Sequence, residues 1–89
     1  MSAAFQQQEF AREIGRRVFV ARKRLNLDQG ELAREAGTNR GTIGLIENGK
    51  RDVSVAVLWR VAIVLGVPFV SLVPEPASVR TAAPPGHTP

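Results

Sequence analysis

Residues 29–48 read QGELAREAGTNRGTIGLIEN, and six positions within them meet the demands of two short helices joined across a tight turn. These are Leu32, Ala33, Ala36, Gly37, Ile43 and Ile46. Ala33 is small where the following helix crosses over it, Gly37 supplies positive φ in the turn, and Leu32, Ile43 and Ile46 fill the wedge between the helices. The flanking signals agree. Asp28 is an N-cap, Glu31 closes a capping box with it, and Leu27 with Leu32 makes a hydrophobic staple, so a helix starts here and stops at Gly37. Asn39 caps the next helix, residues 40–48, which ends at Gly49 in the left-handed cap position. Any one of these small residues alone would signify packing and nothing more, but jointly they form the helix-turn-helix pattern.

Outward from this motif, helical spacing recurs and the β-branched alternation of strands is absent. A first helix over residues 7–25 places Phe10, Ile14, Val18, Ala21 and Leu25 on one face, with Arg12, Arg16, Arg17, Lys23 and Arg24 mostly off it. Ser54 caps a fourth helix over 55–65, closed by Gly66, and Pro68 suits the first turn of a short fifth helix reaching Val73. Pro74, Pro76, Pro84, Pro85 and Pro89 all follow Val73 in a stretch nearly free of large apolar residues, so 74–89 reads as a disordered tail. The expectation is an all-α protein, a compact five-helix bundle over residues 7–73 with the motif at 29–48. No period of 20–50 residues signals a repeat architecture.

Composition narrows the function classes. A chain of 89 residues with 44% hydrophobic and 22% charged residues has room for one globular domain. It contains no cysteine and a lone histidine, His87, which excludes thiolate metal sites, disulfides, cysteine nucleophiles and a Ser-His-Asp triad inside the fold. No metal, cofactor or enzymatic activity is expected, because the few carboxylates fall at caps and helix surfaces and form no acid/base pair. The net charge is +4, ten of the twelve basic residues are arginine, and residues 1–73 alone also carry +4. Arginine's planar fork suits phosphate and guanine, which makes an acidic polymer a fair first partner. No apolar run reaches a membrane span and no leader pattern opens the chain, so a soluble cytoplasmic protein is expected.

The sequence resembles the Cro/phage-repressor, or Xre-type, family with its lambda-repressor-like fold. The likeness runs through Leu27-Asp28-Gln29-Gly30-Glu31-Leu32-Ala33, Ala36-Gly37-Thr38-Asn39-Arg40, and Ile43-Gly44-Leu45-Ile46-Glu47-Asn48-Gly49-Lys50-Arg51. It extends over roughly residues 10–73, where Leu58, Val61, Ala62 and Leu65 before Gly66-Val67-Pro68 match the closing segment. The resemblance implies double-stranded DNA as partner, with the second helix across the phosphates and the third in the major groove. With Ile43 and Ile46 given to the core, Asn39, Arg40, Gly41, Gly44 and Leu45 are the candidate base contacts. Arg40 fits guanine N7 and O6, and Leu45 fits a thymine methyl. Gln29, Thr42, Asn48, Lys50 and Arg51 are candidate phosphate contacts, and Arg17 and Arg24 remain open between phosphate and solvent. Gly41 and Gly44 depart from the family, whose members often carry base-contacting side chains there. Either they let the helix approach the groove floor or they leave a low-information surface that relies on DNA shape. The resemblance also implies a semi-buried ion pair between Arg22 and Glu47.

The fourth helix carries more apolar surface than its own core needs. Trp59, Ile63 and Val64 stand where relatives place polar residues, and Val70 and Val73 add to the excess. A homodimer through these residues would space two reading helices about one DNA turn apart on a pseudo-palindromic operator. The leading expectation is thus a sequence-specific transcriptional regulator, with a repressor or restriction-modification controller as the small-protein model. The alternative is an interaction module of the same fold, an antitoxin or bridging protein whose apolar patch or tail holds a toxin or other protein.

Overall fold

The computed structural model describes residues 2–50 and 53–75. Among them run α1 (Ala3–Arg24), α2 (Gln29–Glu35), α3 (Arg40–Glu47), α4 (Val55–Leu65) and a 3₁₀ turn over Phe69–Leu72. Each α-helix begins on a short polar side chain that satisfies an otherwise orphaned amide. Ser2 accepts from the Phe5 amide, Asp28 from Glu31, Asn39 from Thr42 and Ser54 from Val57. At α2 the Glu31 carboxylate also accepts from the Asp28 amide at 2.8 Å, completing the capping box. No described helix is long and apolar enough to cross a membrane.

The core takes one stripe from every element: Ile14, Val18 and Ala21 from α1, Leu32, Ala33 and Ala36 around α2, Ile43 and Ile46 from α3, Leu58, Val61, Ala62 and Leu65 from α4, and Leu72 from the 3₁₀ turn. Val18, Leu32, Ile43 and Val61 are fully enclosed, so all four α-helices lean on a shared center. Arg17 ties the last turn down from outside, its Nη1 donating to the Ser71 carbonyl at 3.1 Å. The same side chain and Arg16 both bond Glu13, and those two guanidinium groups hold the Glu13 carboxyl at about 2.

Three expectations need correction. The fifth helix is a single 3₁₀ turn, giving four α-helices among the described residues. The cause is local: Ser71 bonds back to the Pro68 carbonyl through both its amide, at 2.9 Å, and its hydroxyl, at 2.7 Å. Pro74 then forces extended backbone on Val73, which ends any helix there. The first helix starts at Ala3 and not at Gln7, because Ser2 caps it and nothing between breaks it. Its leading turns are largely exposed, so no apolar period marks them. Leu25, placed on the buried face, is 48% exposed, since α1 ends at Arg24 and Asn26 turns the chain with φ of 57°. Ala11 and Gly15 join the buried face instead. The tail expected from residue 74 lies, beyond Glu75, outside the described residues.

Two glycines set how closely α1 lies on the end of α3. A β-carbon on Gly15 would collide with the Ile46 carbonyl oxygen and stand 2.7 Å from that of Glu47. These are backbone atoms, which cannot swing aside. Gly49 combines a φ of 63° with a close approach to Arg12, whose Cα would lie 3.0 Å from an added β-carbon. The helix-propensity gain of Gly15→Ala, about 1 kcal/mol, is therefore outweighed by overpacking of about 1–3 kcal/mol or more. Urea unfolding should show a net loss of stability for this variant.

Candidate nucleic-acid interface

The C-terminal end of α3 is anchored by a buried carboxylate. Glu47 Oε2 accepts from Arg22 Nε at 2.7 Å and Oε1 from Arg22 Nη2 at 2.9 Å, a two-pronged pair from side chains only 5% and 7% exposed. The third nitrogen of the fork, Nη1, donates to the Leu27 carbonyl at 2.8 Å. Phe19 covers the guanidinium face with its ring centroid 5.3 Å away. Its bond to Glu47 raises the Arg22 pKa above the ordinary value, against the opposing effect of burial. A further donor, Gln29 Nε2, reaches Glu47 Oε1 at 3.1 Å. Glu47 thus holds α1 and the first residue of α2 on one side chain, and Arg22 holds the loop between them.

With the inner face of α3 engaged by Ile43, Ile46 and Glu47, the opposite face points outward. Asn39, Arg40, Gly41, Leu45 and Asn48 are exposed there, and Thr42 and Gly44 are half-buried. Asn39 spends its side-chain oxygen on the Thr42 amide at 2.8 Å, which leaves its NH₂ for an outside acceptor. Asn48 donates one side-chain hydrogen to the Gly44 carbonyl at 2.9 Å and keeps the other. Neither Gly41 nor Gly44 has positive φ, and a β-carbon at 44 would touch only Gln29, at an ordinary 3.7 Å. The fold therefore does not require glycine at 44.

Gln29 and Arg40, at the first turns of α2 and α3, line one shallow recess with Arg22, Asp28 and Gly30. This joins a candidate phosphate contact to the strongest candidate base contact. Lys50 is exposed just past α3, and Arg51 lies outside the described residues. Of the two arginines left open, Arg17 is held by Glu13 and Ser71, whereas Arg24 is exposed. On α4 and the 3₁₀ turn, Trp59 at 56%, Ile63 at 59% and Val70 at 75% face outward, while Val64 and Val73 are half-buried against the core. Two residues that shape the site escaped the sequence reading. Gly15 carried a usable signal, since an isolated glycine inside a helical pattern marks close approach. Phe19 carried none. Among the described residues, no group of three His, Cys, Asp or Glu side chains could hold a metal ion.

Two short helices locked from behind, with one face of the second turned outward beside the start of the first, make a helix-turn-helix domain. Residues 20–72, more than half of the chain, match the HTH_3 helix-turn-helix family model, and the protein belongs to that family. This places it among the Cro/C1-type helix-turn-helix proteins, DNA-binding proteins of transcription regulation. Among solved structures, it is similar to the restriction-modification controller protein C.AhdI from Aeromonas hydrophila, at 29% identity and a TM-score of 0.68 over 70% of this chain and 94% of that one. It is also similar to an HTH_3 family transcriptional regulator from Vibrio cholerae, at 26% identity and a TM-score of 0.70, over 74% of this chain and 37% of that longer one. A hypothetical transcription factor, NHTF, from Neisseria shares the fold with a TM-score of 0.71 at 21% identity, over 84% and 86% of the two chains. No curated protein sequence matches the chain.

Removing one partner of the enclosed pair leaves the other charge uncompensated. Glu47→Ala should cost about 3–5 kcal/mol in urea unfolding. A double-mutant cycle with Arg22→Met should recover part of that loss, because the double variant strands no charge.

Proposed function

We propose that the protein is a cytoplasmic, homodimeric transcriptional regulator that reads a pseudo-palindromic operator with α3 in the major groove, through a DNA-binding domain spanning residues 7–73. The observation that carries this reading is the division of α3 into an inner face engaged by the core and Arg22, and an outer face on which Arg40, Gly41, Gly44 and Leu45 have little part in the fold, next to Asn39, which caps the helix with its oxygen and turns its NH₂ outward. Arg40 reads guanine through its fork and Leu45 meets a thymine methyl. The NH₂ of Asn39 suits a base acceptor at the groove edge. Since glycine at 44 serves no internal need, its missing side chain, with that of Gly41, serves close approach to the groove floor. Gln29, Thr42, Asn48, Lys50 and Arg51 bond phosphates around this contact, fixing orientation without reading sequence. The likeness to a controller protein and to a transcriptional regulator supports the regulatory role.

Trp59, Ile63 and Val70 form the dimer contact, flanked by Val64 and Val73. An exposed tryptophan with exposed Ile63 one turn further along α4, and an exposed Val70 on the 3₁₀ turn, support this assignment. The same patch also suits a protein partner, as in an antitoxin or bridging module. Selection of bound sequences from random DNA separates the two readings. A regulator should enrich two inverted half-sites about 10–10.5 base pairs apart center to center, with affinity that falls steeply as salt rises. A pool that stays random at low salt would overturn the DNA reading. In sedimentation, Trp59→Ala should shift the dimer to the monomer mass, and an unchanged mass would reject this interface.

A further inference from the structure

Arg60 belongs to α4 but spends its side chain on the turn of the helix-turn-helix. Its Nε donates to the Ala36 carbonyl at 2.7 Å. Ala36 closes α2 and is 1% exposed, and the next residue, Gly37, turns the chain with φ of 71°. A helical donor to this carbonyl would be the amide of Asn39 or Arg40, but the chain leaves the helix at Gly37, and among the described residues no backbone amide bonds it. Arg60 fills that need with a charge-assisted bond. The guanidinium also lies against the turn, since a β-carbon on Gly37 would stand 3.6 Å from its Nε. No carboxylate among the described residues forms an ion pair with Arg60.

The same helix has two further faces. Leu58, Val61, Ala62 and Leu65 point into the core, and Trp59 and Ile63 point to solvent. Ridge-and-groove packing of this stripe sets the approximate crossing angle of α4 on the motif. A hydrogen bond to a backbone carbonyl is directional and narrows that angle further at the turn itself. We propose that Arg60 is a positioning residue that locks α4 to the α2–α3 turn and thereby sets the spacing at which a dimer reads its two half-sites. This rests on the dimeric DNA-binding reading above. In such a dimer the two reading helices are related through α4, and any play at the turn is magnified over the distance between half-sites.

The test compares wild type with Arg60→Met, which keeps an unbranched apolar stem without a donor, and with Arg60→Lys. Each protein is measured on palindromes of varied spacer length and on a single half-site, with salt dependence, sedimentation mass and melting temperature. Arg60→Met should bind the preferred spacing about tenfold more weakly and discriminate less against spacers one base pair longer or shorter. Its half-site affinity, salt dependence and mass should match wild type. Arg60→Lys should recover part of the spacer preference, because its ammonium can reach the same carbonyl without the fork. Wild-type affinity and spacer preference in Arg60→Met would overturn the inference. So would an equal loss on half-site and full site, whether with a lowered melting temperature, as from a merely structural role, or with a salt slope reduced by about one, as from a direct phosphate contact. A wild-type protein that binds no selected DNA would overturn the operator reading and this inference with it, an outcome visible before any variant is made.

Discussion

What α3 presents outward depends on a charge held inward. An ionized carboxylate is costly to bury, and Glu47 is tolerated only because every direction around it is answered. Arg22 meets it with two parallel bonds, Gln29 adds a third, and the remaining Arg22 nitrogen is satisfied by the Leu27 carbonyl under the Phe19 ring. Because Arg22 belongs to α1 and Gln29 to α2, one carboxylate ties α3 to two other helices, and through Arg22 to the loop between them. A pair of this kind adds little to net stability but is intolerant of losing either member. That intolerance gives α3 one orientation.

Around this anchor the polar groups divide into those consumed by the fold and those left over. Asp28, Glu31, Arg17 and Arg60 all bond backbone groups, and Glu13 is taken by Arg16 and Arg17. Arg40 and Lys50 are exposed at the two ends of α3. Much of the arginine content is therefore architectural, and exposed basic charge is left at the two ends of α3 and on Lys23, Arg24 and Arg34 of α1 and α2. The apolar surplus is similarly sorted, for Val64 and Val73 are partly absorbed by the core while Trp59, Ile63 and Val70 are not.

The parts of the fold legible in the sequence are those that depend on local chemistry. The Asp28–Glu31 box, the Asn39 and Ser54 caps and the positive φ at Gly37, Gly49 and Gly66 each involve residues a few positions apart, and each is present. Periodicity found Ile14, Val18 and Ala21 on the inner face of α1 for the same reason. It failed at the exposed start of α1, which has no buried face to betray it, and at the last turn, where Ser71 and Pro74 outweigh a helix-like pattern. The outward face of α3 followed once Ile43 and Ile46 were given to the core. Arg60 and Ala36 lie 24 residues apart and Arg17 and Ser71 lie 54 apart, and no local pattern announces such pairs. Arg22 and Glu47, 25 apart, were singled out by family resemblance alone.

The crossing at Gly15 has a further consequence for how such a protein diversifies. Where helices meet through side chains, a larger or smaller residue can change their separation by a fraction of an ångström, and specificity can drift with the core. Here the backbone of α1 rests directly on the carbonyls that end α3, so the separation is a fixed length set by no side chain. Exchange of side chains on the outer face of α3 can then proceed without disturbing the seat of that helix.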